Sequence, residues 1–108
     1  MLEWIQNWYN QQCDGHWEHY YGVKIENIDN PGWDVKIDFN DTGLIVEQNI
    51  DWQFFEMSET NWIGYKVVDN VFEASGDPFK LELILSLFKM LAETGTINKS
   101  HVSVLISK

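Results

Sequence analysis

The chain has 108 residues and a formal net charge of −10 at pH 7, with 44% hydrophobic and 15% aromatic residues. This length fits one domain spanning residues 1–108, and the large apolar content excludes a disordered chain. A single cysteine excludes an internal disulfide, no apolar run is long enough to cross a bilayer, and the first residues lack a secretion signal, so we expect a cytoplasmic protein.

The negative charge is concentrated in the first part of the chain. Residues 1–60 contain twelve carboxylates and two lysines, whereas residues 61–108 contain five carboxylates and five lysines. A field of this sign repels nucleic acid and anionic lipid and attracts a basic partner. The same composition also fits an acidic protein whose charge serves only solubility. Charge alone leaves both interpretations open.

The first forty residues predict a helix followed by a hairpin. Leu2–Gln12 has apolar residues three and four positions apart, which is typical of an amphipathic helix, and Asp14-Gly15 is its predicted terminator. Residues 22–29 and 33–39 alternate apolar and polar side chains, as half-buried strands do. Between them Asn30-Pro31-Gly32-Trp33 predicts a type II turn, because proline presets the first central residue and glycine accepts the positive φ of the second.

The second predicted strand of this hairpin has one apolar and one polar side. Asp34, Lys36 and Asp38 lie on the side opposite its apolar residues. We therefore expect the hairpin to have a wet, mostly acidic face.

Further strand signals follow. Residues 44–52 are ambiguous between a short strand and irregular structure, whereas residues 53–59 and 61–69 predict two strands. Asp69-Asn70 predicts a tight turn into a strand at residues 71–75, since both residues tolerate positive φ.

The C-terminal part predicts a second helix. Asp77 is its predicted N-cap, Pro78 its first residue and Thr94-Gly95 its end. Residues 101–106 alternate and predict an edge strand or a loose tail. The order of elements predicts an α+β fold with an antiparallel sheet of about five or six strands, on which the N-terminal and C-terminal helices pack.

A possible metal site begins at the only cysteine. Cys13, His16 and His19 are three residues apart and include ligand types that zinc prefers. Ligands at this spacing converge only in a helix, and Gly15 disfavours one there. A buried thiol beside surface histidines is therefore the favoured interpretation. A metal-dependent enzyme that uses these three residues ranks third, after the two binding functions described below. We expect no metal, no cofactor and no catalysis.

Five of the six tryptophans fall into three groups. Trp4, Trp8 and Trp33 lie on predicted apolar faces and are expected in the core. Trp17 lies in a predicted loop between His16 and Glu18, where we expect a partly exposed anchor for a partner. The environment of Trp62 is undecided.

Several short motifs are clustered near the N-terminus: N-W-Y at residues 7–9, Q-C-D-G at 12–15, W-E-H at 17–19, Y-G at 21–22 and D-N-P-G-W at 29–33. In these motifs the chain resembles the immunity protein 53 family of bacterial polymorphic toxin systems. The N-W-I at residues 61–63 and the helix start at residues 76–78 are also similar to this family.

The resemblance implies a small cytoplasmic antidote that binds and neutralises a cognate toxin, and so protects the producing cell and its kin. Such toxins are often nucleases with basic substrate sites, which agrees with the acidic charge of the chain. Neither nucleic acid nor a membrane is an expected partner. The residues expected to bind the toxin are six carboxylates, one tryptophan and one histidine: Asp14, Glu18, Asp29, Asp34, Asp38, Asp41, Trp17 and His19.

Two alternatives stay open beside this interpretation. Trp17, Glu18 and His19 serve equally well as structural residues that hold their loop together. The alternative to an immunity protein is a non-catalytic intracellular binding or regulatory module for another basic protein.

Overall fold

The computed structural model describes residues 1–107, which form four helices around one sheet of five strands. In chain order the elements are α1 (Leu2–Gln12), α2 (Trp17–Tyr20), β1 (Val23–Ile28), β2 (Gly32–Asp38), β3 (Ile50–Ser58), β4 (Asn61–Val68), β5 (Val71–Gly76), α3 (Leu81–Thr94) and α4 (Lys99–Ile106). The strand order across the sheet is β1-β2-β5-β4-β3, and every neighbouring pair is antiparallel. The predicted α+β fold with an antiparallel sheet and terminal helices is confirmed.

The last strand of the chain lies at the centre of the sheet. β5 pairs with β2 on one side and with β4 on the other, so two hairpins that are separate in sequence become one surface. Gly32 permits this approach, because a Cβ there would overlap the carbonyl oxygen of Gly76. The start of β2 therefore lies directly against the end of β5.

The longer helices cover one face of the sheet. Buried apolar residues of β2, β4 and β5 point to this face, and α3 lies over them with five fully or nearly fully buried side chains: Ile84, Leu85, Leu87, Phe88 and Leu91. α1 packs on α3 through Trp8, whose ring centroid is 4.8 Å from that of Phe88. The opposite face, which we call the open sheet face, presents exposed side chains such as Lys36 and Lys66.

The three tryptophans expected in the core differ in depth. Trp8 is buried, as predicted. Trp4 and Trp33 are half-buried and pack against the core from its margin. The indole nitrogen of Trp33 donates a hydrogen bond to the carbonyl oxygen of Pro78 at 3.0 Å. Trp62 is also half-buried, but it lies on the open sheet face.

The segment after α1 differs from the prediction. α1 spans Leu2–Gln12, as predicted, but it ends with Cys13 in an extended conformation, and Gly15 takes its positive φ of 90° in the turn that follows rather than at the helix end. The expected loop around Trp17 is instead the short helix α2. The prediction of a partly exposed Trp17 is wrong, because this side chain is 2% exposed and packs against Trp8.

One of the two predicted tight turns is confirmed. Asp69 and Asn70 have φ values of 54° and 62° and join β4 to β5, as expected. The predicted type II turn at Pro31-Gly32 is wrong: the Asn30–Pro31 peptide bond is cis, and Gly32 is already the first residue of β2, paired with Ile28.

The boundaries of β3 and α4 also differ from the prediction. Residues 44–49 are irregular, and β3 begins at Ile50, earlier than expected. The expected strand or loose tail at residues 101–106 is part of helix α4. Val102 and Ile106, four residues apart, are buried, whereas Val104 is 54% exposed, so the helical spacing prevails over the alternation. Asn98 begins α4 by accepting a hydrogen bond from the His101 N–H at 3.0 Å.

Asp77 does not cap a helix as predicted, because α3 begins only at Leu81. Asp77 is 1% exposed and organises the preceding turn through both carboxylate oxygens. Oδ1 accepts the Phe79 N–H at 2.9 Å, and Oδ2 accepts the Trp62 N–H at 2.9 Å and the Lys80 ammonium at 2.7 Å. The carboxylate thereby connects the start of α3 to β4.

We expect Asp77→Asn to lower the free energy of unfolding by about 3 kcal/mol at pH 7, because the amide cannot accept all three donors and leaves Lys80 unpaired. Burial alone would raise the pKa of Asp77, but the hydrogen bonds from Lys80, Trp62 and Phe79 hold it below its ordinary value of 3.8. The stabilisation is therefore present above pH 3.8 and lost as the pH falls through the lower folded-state pKa. Urea unfolding between pH 7 and pH 3 should show the difference between wild type and variant shrinking at the acid end.

We expect Trp17→Ala to lower the free energy of unfolding by about 3–5 kcal/mol, because it removes a buried indole from the core. Tyr20→Ala is the matched control, since Tyr20 lies on the same helix but is 70% exposed, and it should cost less than about 1 kcal/mol. Urea unfolding measures both. A loss below about 1 kcal/mol for Trp17→Ala would contradict the buried position.

Candidate functional site

Three chain segments that carry carboxylates are joined at one end of the sheet. This end is built by α2, the loop after β2 and the β4–β5 turn. The indole nitrogen of Trp17 donates to the carbonyl oxygen of Asn40 at 2.9 Å and so ties α2 to the loop. We call the surface the acidic end and define it by five residues: Asp14, Glu18, Asp38, Asp41 and Asp69.

Asp14 and Glu18 hold the turn before α2 by exchanging hydrogen bonds with its backbone. Oδ1 of Asp14 accepts the N–H groups of His16 and Trp17, both at 2.9 Å. In return, the two carboxylate oxygens of Glu18 accept the N–H groups of Asp14 at 3.0 Å and Gly15 at 2.8 Å. This reciprocal arrangement resembles a capping box and makes a helix of only four residues stable enough to form.

These hydrogen bonds keep both carboxylates charged. The pKa of Asp14 lies below its ordinary value, chiefly because of the Trp17 N–H and next because of the His16 N–H. The pKa of Glu18 is lowered by its own backbone N–H first, and by the N–H groups of Asp14 and Gly15, against an opposing effect of burial. Oδ2 of Asp14 accepts no hydrogen bond from residues 1–107, so this oxygen is directed to solvent with its charge intact.

The loop after β2 carries two further carboxylates. Oδ1 of Asp38 accepts the backbone and side-chain N–H groups of Asn40, at 3.0 and 2.8 Å. Asp41 has a positive φ of 57°, and its Oδ2 accepts the hydroxyl of Tyr21 at 3.2 Å. This hydrogen bond is the first cause that raises the pKa of Tyr21 above its ordinary value.

Asp69 belongs to the same surface, although the sequence analysis did not include it among the partner-binding residues. The Asn40 side chain reaches the carbonyl oxygen of Asp69 at 3.4 Å, and the Phe39 N–H donates to the carbonyl oxygen of Asn70 at 2.9 Å. The antiparallel pairing of β2 with β5 places the β4–β5 turn beside the end of β2. The Asp69-Asn70 turn was predicted from the sequence. Its place beside the end of β2 depends on the pairing of β2 with β5, which the sequence does not show.

His19 lies beside the acidic end rather than in it. It is exposed and lines a polar cleft of about 500 Å³ together with Tyr20, Lys24 and Lys36. The other members of the possible metal site have separate contacts: the Cys13 thiol donates to the carbonyl oxygen of Tyr9 at 3.3 Å, and His16 packs on Tyr20 with ring centroids 4.8 Å apart. Across residues 1–107, no three His, Cys, Asp or Glu side chains are grouped to hold a metal ion.

The two remaining carboxylates of the expected site lie elsewhere. Asp29 is in the β1–β2 turn, at the opposite end of that hairpin from Asp38. Asp34 lies in the middle of the open sheet face, where it accepts the hydroxyl of Ser75 at 2.7 Å. The eight predicted residues therefore do not form one surface: four belong to the acidic end, His19 lies beside it, Trp17 is buried beneath it, and Asp29 and Asp34 lie elsewhere.

Lysines cross the open sheet face in one row. Lys24 pairs across the strands with Lys36, Lys36 with Glu73, and Glu73 with Lys66. The Glu73 carboxylate is 4.0 Å from the Lys36 ammonium and 3.9 Å from the Lys66 ammonium. The pKa of Glu73 is raised first by burial and then by Asp34, whereas the lysines oppose the rise. The wet face is thus crossed by both signs of charge. Carboxylates predominate at the acidic end, although one of them, Asp38, also lines the cleft that contains Lys24 and Lys36.

Comparison with known proteins gives one match. The family description "Immunity protein 53" matches residues 2–93, which include both hairpins and nearly all of α3. The comparisons with curated proteins and with solved structures gave no match. Within residues 1–107, no helix combines the length and apolar character needed to span a membrane. The matched range, with the motifs at residues 7–33 and the observed fold, shows that the chain belongs to the immunity protein 53 family and is an immunity protein of a toxin system.

Proposed function

We propose that this immunity protein binds a cationic surface of its cognate polymorphic toxin with the acidic end and neutralises the toxin by covering that surface. The observation that carries the proposal is the charge distribution, with twelve carboxylates and two lysines in residues 1–60. Opposite charges accelerate association and select against partners of the wrong sign. Inhibition is steric and electrostatic, and no catalytic step takes part.

The acidic end is organised before any partner arrives. Its carboxylates come from three chain segments that hydrogen bonds hold together, including the bond from Trp17 to Asn40 and the bond from Tyr21 to Asp41. A surface whose side chains are already ordered loses less conformational entropy on binding. Affinity therefore benefits from the buried support beneath the charges as well as from the charges themselves.

The toxin class that this surface fits best is a nuclease. A nuclease holds substrate phosphates with arginine and lysine side chains, and carboxylate oxygens accept the same charge-assisted hydrogen bonds. The acidic end then occupies positions that phosphates take in the substrate. The complex forms in the cytoplasm of the producing cell, and nucleic acid and anionic membranes are not partners because the net charge of −10 repels them.

Binding and protection test this function directly. The probe is a toxic C-terminal domain identified among the genes that neighbour the gene for this chain, and it is expressed in a sensitive bacterium with and without the immunity protein. We expect co-expression to restore growth, and we expect the tagged protein to capture the domain at low salt and release part of it at high salt. Growth arrest that persists in the presence of the folded immunity protein would overturn the proposal.

We expect the double variant Asp41→Asn, Asp69→Asn to slow association with the toxin domain by about two- to tenfold at low salt and to flatten the salt dependence of the rate. Asparagine tolerates the positive φ of both positions, so the turns are retained. Stopped-flow fluorescence at several ionic strengths measures the rate constants.

The matched control for this variant removes the same charge elsewhere. Glu82→Gln with Glu93→Gln changes two exposed carboxylates of α3, outside the acidic end. This control should retain most of the wild-type rate. If both double variants slow association equally, net charge rather than the acidic end guides the encounter, and this surface is not the contact.

A further inference from the structure

Three aromatic side chains lie together on the open sheet face near the β3 edge. We call Trp52, Phe54 and Trp62 the aromatic platform. Trp52 is 47% exposed and Phe54 is 51% exposed, and the rings of Phe54 and Trp62 have centroids 6.2 Å apart. Adjacent exposed aromatic side chains are typical of protein interfaces.

The local backbone supports the platform. A bulge in β3 places both Asp51 and Trp52 opposite Lys66, so that Ile50 packs against the core while Trp52 lies on the open sheet face. Gly64 leaves the space that the indole occupies, because a Cβ at this position would overlap the six-membered ring of Trp52. The indole therefore lies against bare backbone and keeps about half of its surface in solvent.

Negative charge predominates beside the platform. Asp51, Glu56 and Glu59 are exposed residues in or beside β3. The cation nearest along the sheet is Lys66, opposite Trp52, and its ammonium lies 3.9 Å from the Glu73 carboxylate. A partner that fits here has positive charge and a side chain that packs on indole. Arginine has both properties, since its planar cation stacks on aromatic faces and pairs with carboxylates, and lysine has them to a lesser degree.

We propose that the aromatic platform is a second contact surface for the cognate toxin and receives an arginine- or lysine-bearing segment of it. This inference rests on the proposed function and deepens it. The acidic end supplies long-range attraction, whereas the platform supplies apolar burial and cation–π contacts that slow dissociation.

One toxin domain can reach both surfaces. Gly64, in β4 beneath the platform, and Asp69, the residue after β4, are five residues apart, which corresponds to roughly 17 Å along a strand. A standard interface covers about 800 Å² on each partner and exceeds this span. A single toxin domain of ordinary size is therefore large enough to contact both surfaces.

A second copy of this chain fits the platform poorly. Each copy has a net charge of −10, and the carboxylates around the platform would face those of the partner copy. Register shifts at both ends of β3 also interrupt the regular edge that strand pairing between copies requires. A cationic toxin meets neither obstacle, because its charge complements the platform and its side chains contact the face of the sheet.

Titration calorimetry with the toxin domain identified by the protection experiment tests the platform. We expect Trp52→Ala and Phe54→Ala each to weaken binding by about tenfold or more, mainly through faster dissociation. Phe79→Ala is the matched control, because Phe79 is an aromatic residue that is 89% exposed on the turn before α3, and it should bind within about twofold of wild type.

A variant that changes only charge tests the platform without removing an apolar side chain, so its effect on binding does not come from a loss of stability. Glu56→Gln removes one exposed carboxylate beside the platform without touching Gly64 or the core, and it should weaken binding measurably while thermal unfolding stays unchanged. Trp52→Phe should recover part of the affinity lost in Trp52→Ala, since phenylalanine retains an aromatic face.

The possible outcomes separate the two proposals. If wild type binds the toxin and the Trp52, Phe54 and Glu56 variants bind equally well, the platform inference is overturned while the proposed function stands. If wild type neither binds nor protects, both are overturned. If sedimentation shows a wild-type dimer that Trp52→Ala dissociates, with toxin binding unaffected, the occupant is a second copy and the inference is wrong.

Discussion

The ring of Phe88 joins the helical layer to the sheet. It packs against two aromatic rings of α1, one of β5 and one just after β2, with centroid distances between 4.8 and 6.3 Å: Trp4, Trp8, Phe72 and Phe39. Trp8 in turn packs edge-on against Trp17, whose indole nitrogen holds the Asn40 carbonyl oxygen. The position of the acidic end thus depends on a series of aromatic contacts that begins in the centre of the core. Surface charge and core packing are not separate properties in this molecule.

Periodic elements of the fold were predictable from the sequence, and elements held by tertiary contacts were not. α1, the β4–β5 turn and most of α3 follow from local patterns. α2 escaped prediction because four residues give no readable period, and it forms only through the reciprocal hydrogen bonds of Asp14 and Glu18. α4 was predicted wrongly because Val102 and Val104 alternate with polar residues, as in a strand. The residues that are buried are Val102 and Ile106, which are four apart, as in a helix.

The candidate site was only partly predictable for a similar reason. Sequence shows which residues carry charge, but the strand register decides which charges meet. Asp29 is close in sequence to the other carboxylates yet lies at the far end of the hairpin, whereas Asp69 is distant in sequence yet lies beside Asn40. Trp17 looked like a contact residue because its neighbours are polar. Its buried indole instead makes it a positioning residue for the acidic end.

The carboxylates of the acidic end differ in how freely evolution can change them. Asp41 and Asp69 lie in turns with positive φ, where asparagine or glycine is also tolerated, so mutation there alters charge while preserving the backbone. Asp14 and Glu18 have a second task in forming α2, and their replacement would disturb Trp17 beneath them. In the proposed complex, the acidic end therefore has adjustable positions at its turns and a fixed pair at its helix, and changes of charge that leave the fold intact are confined to the turns.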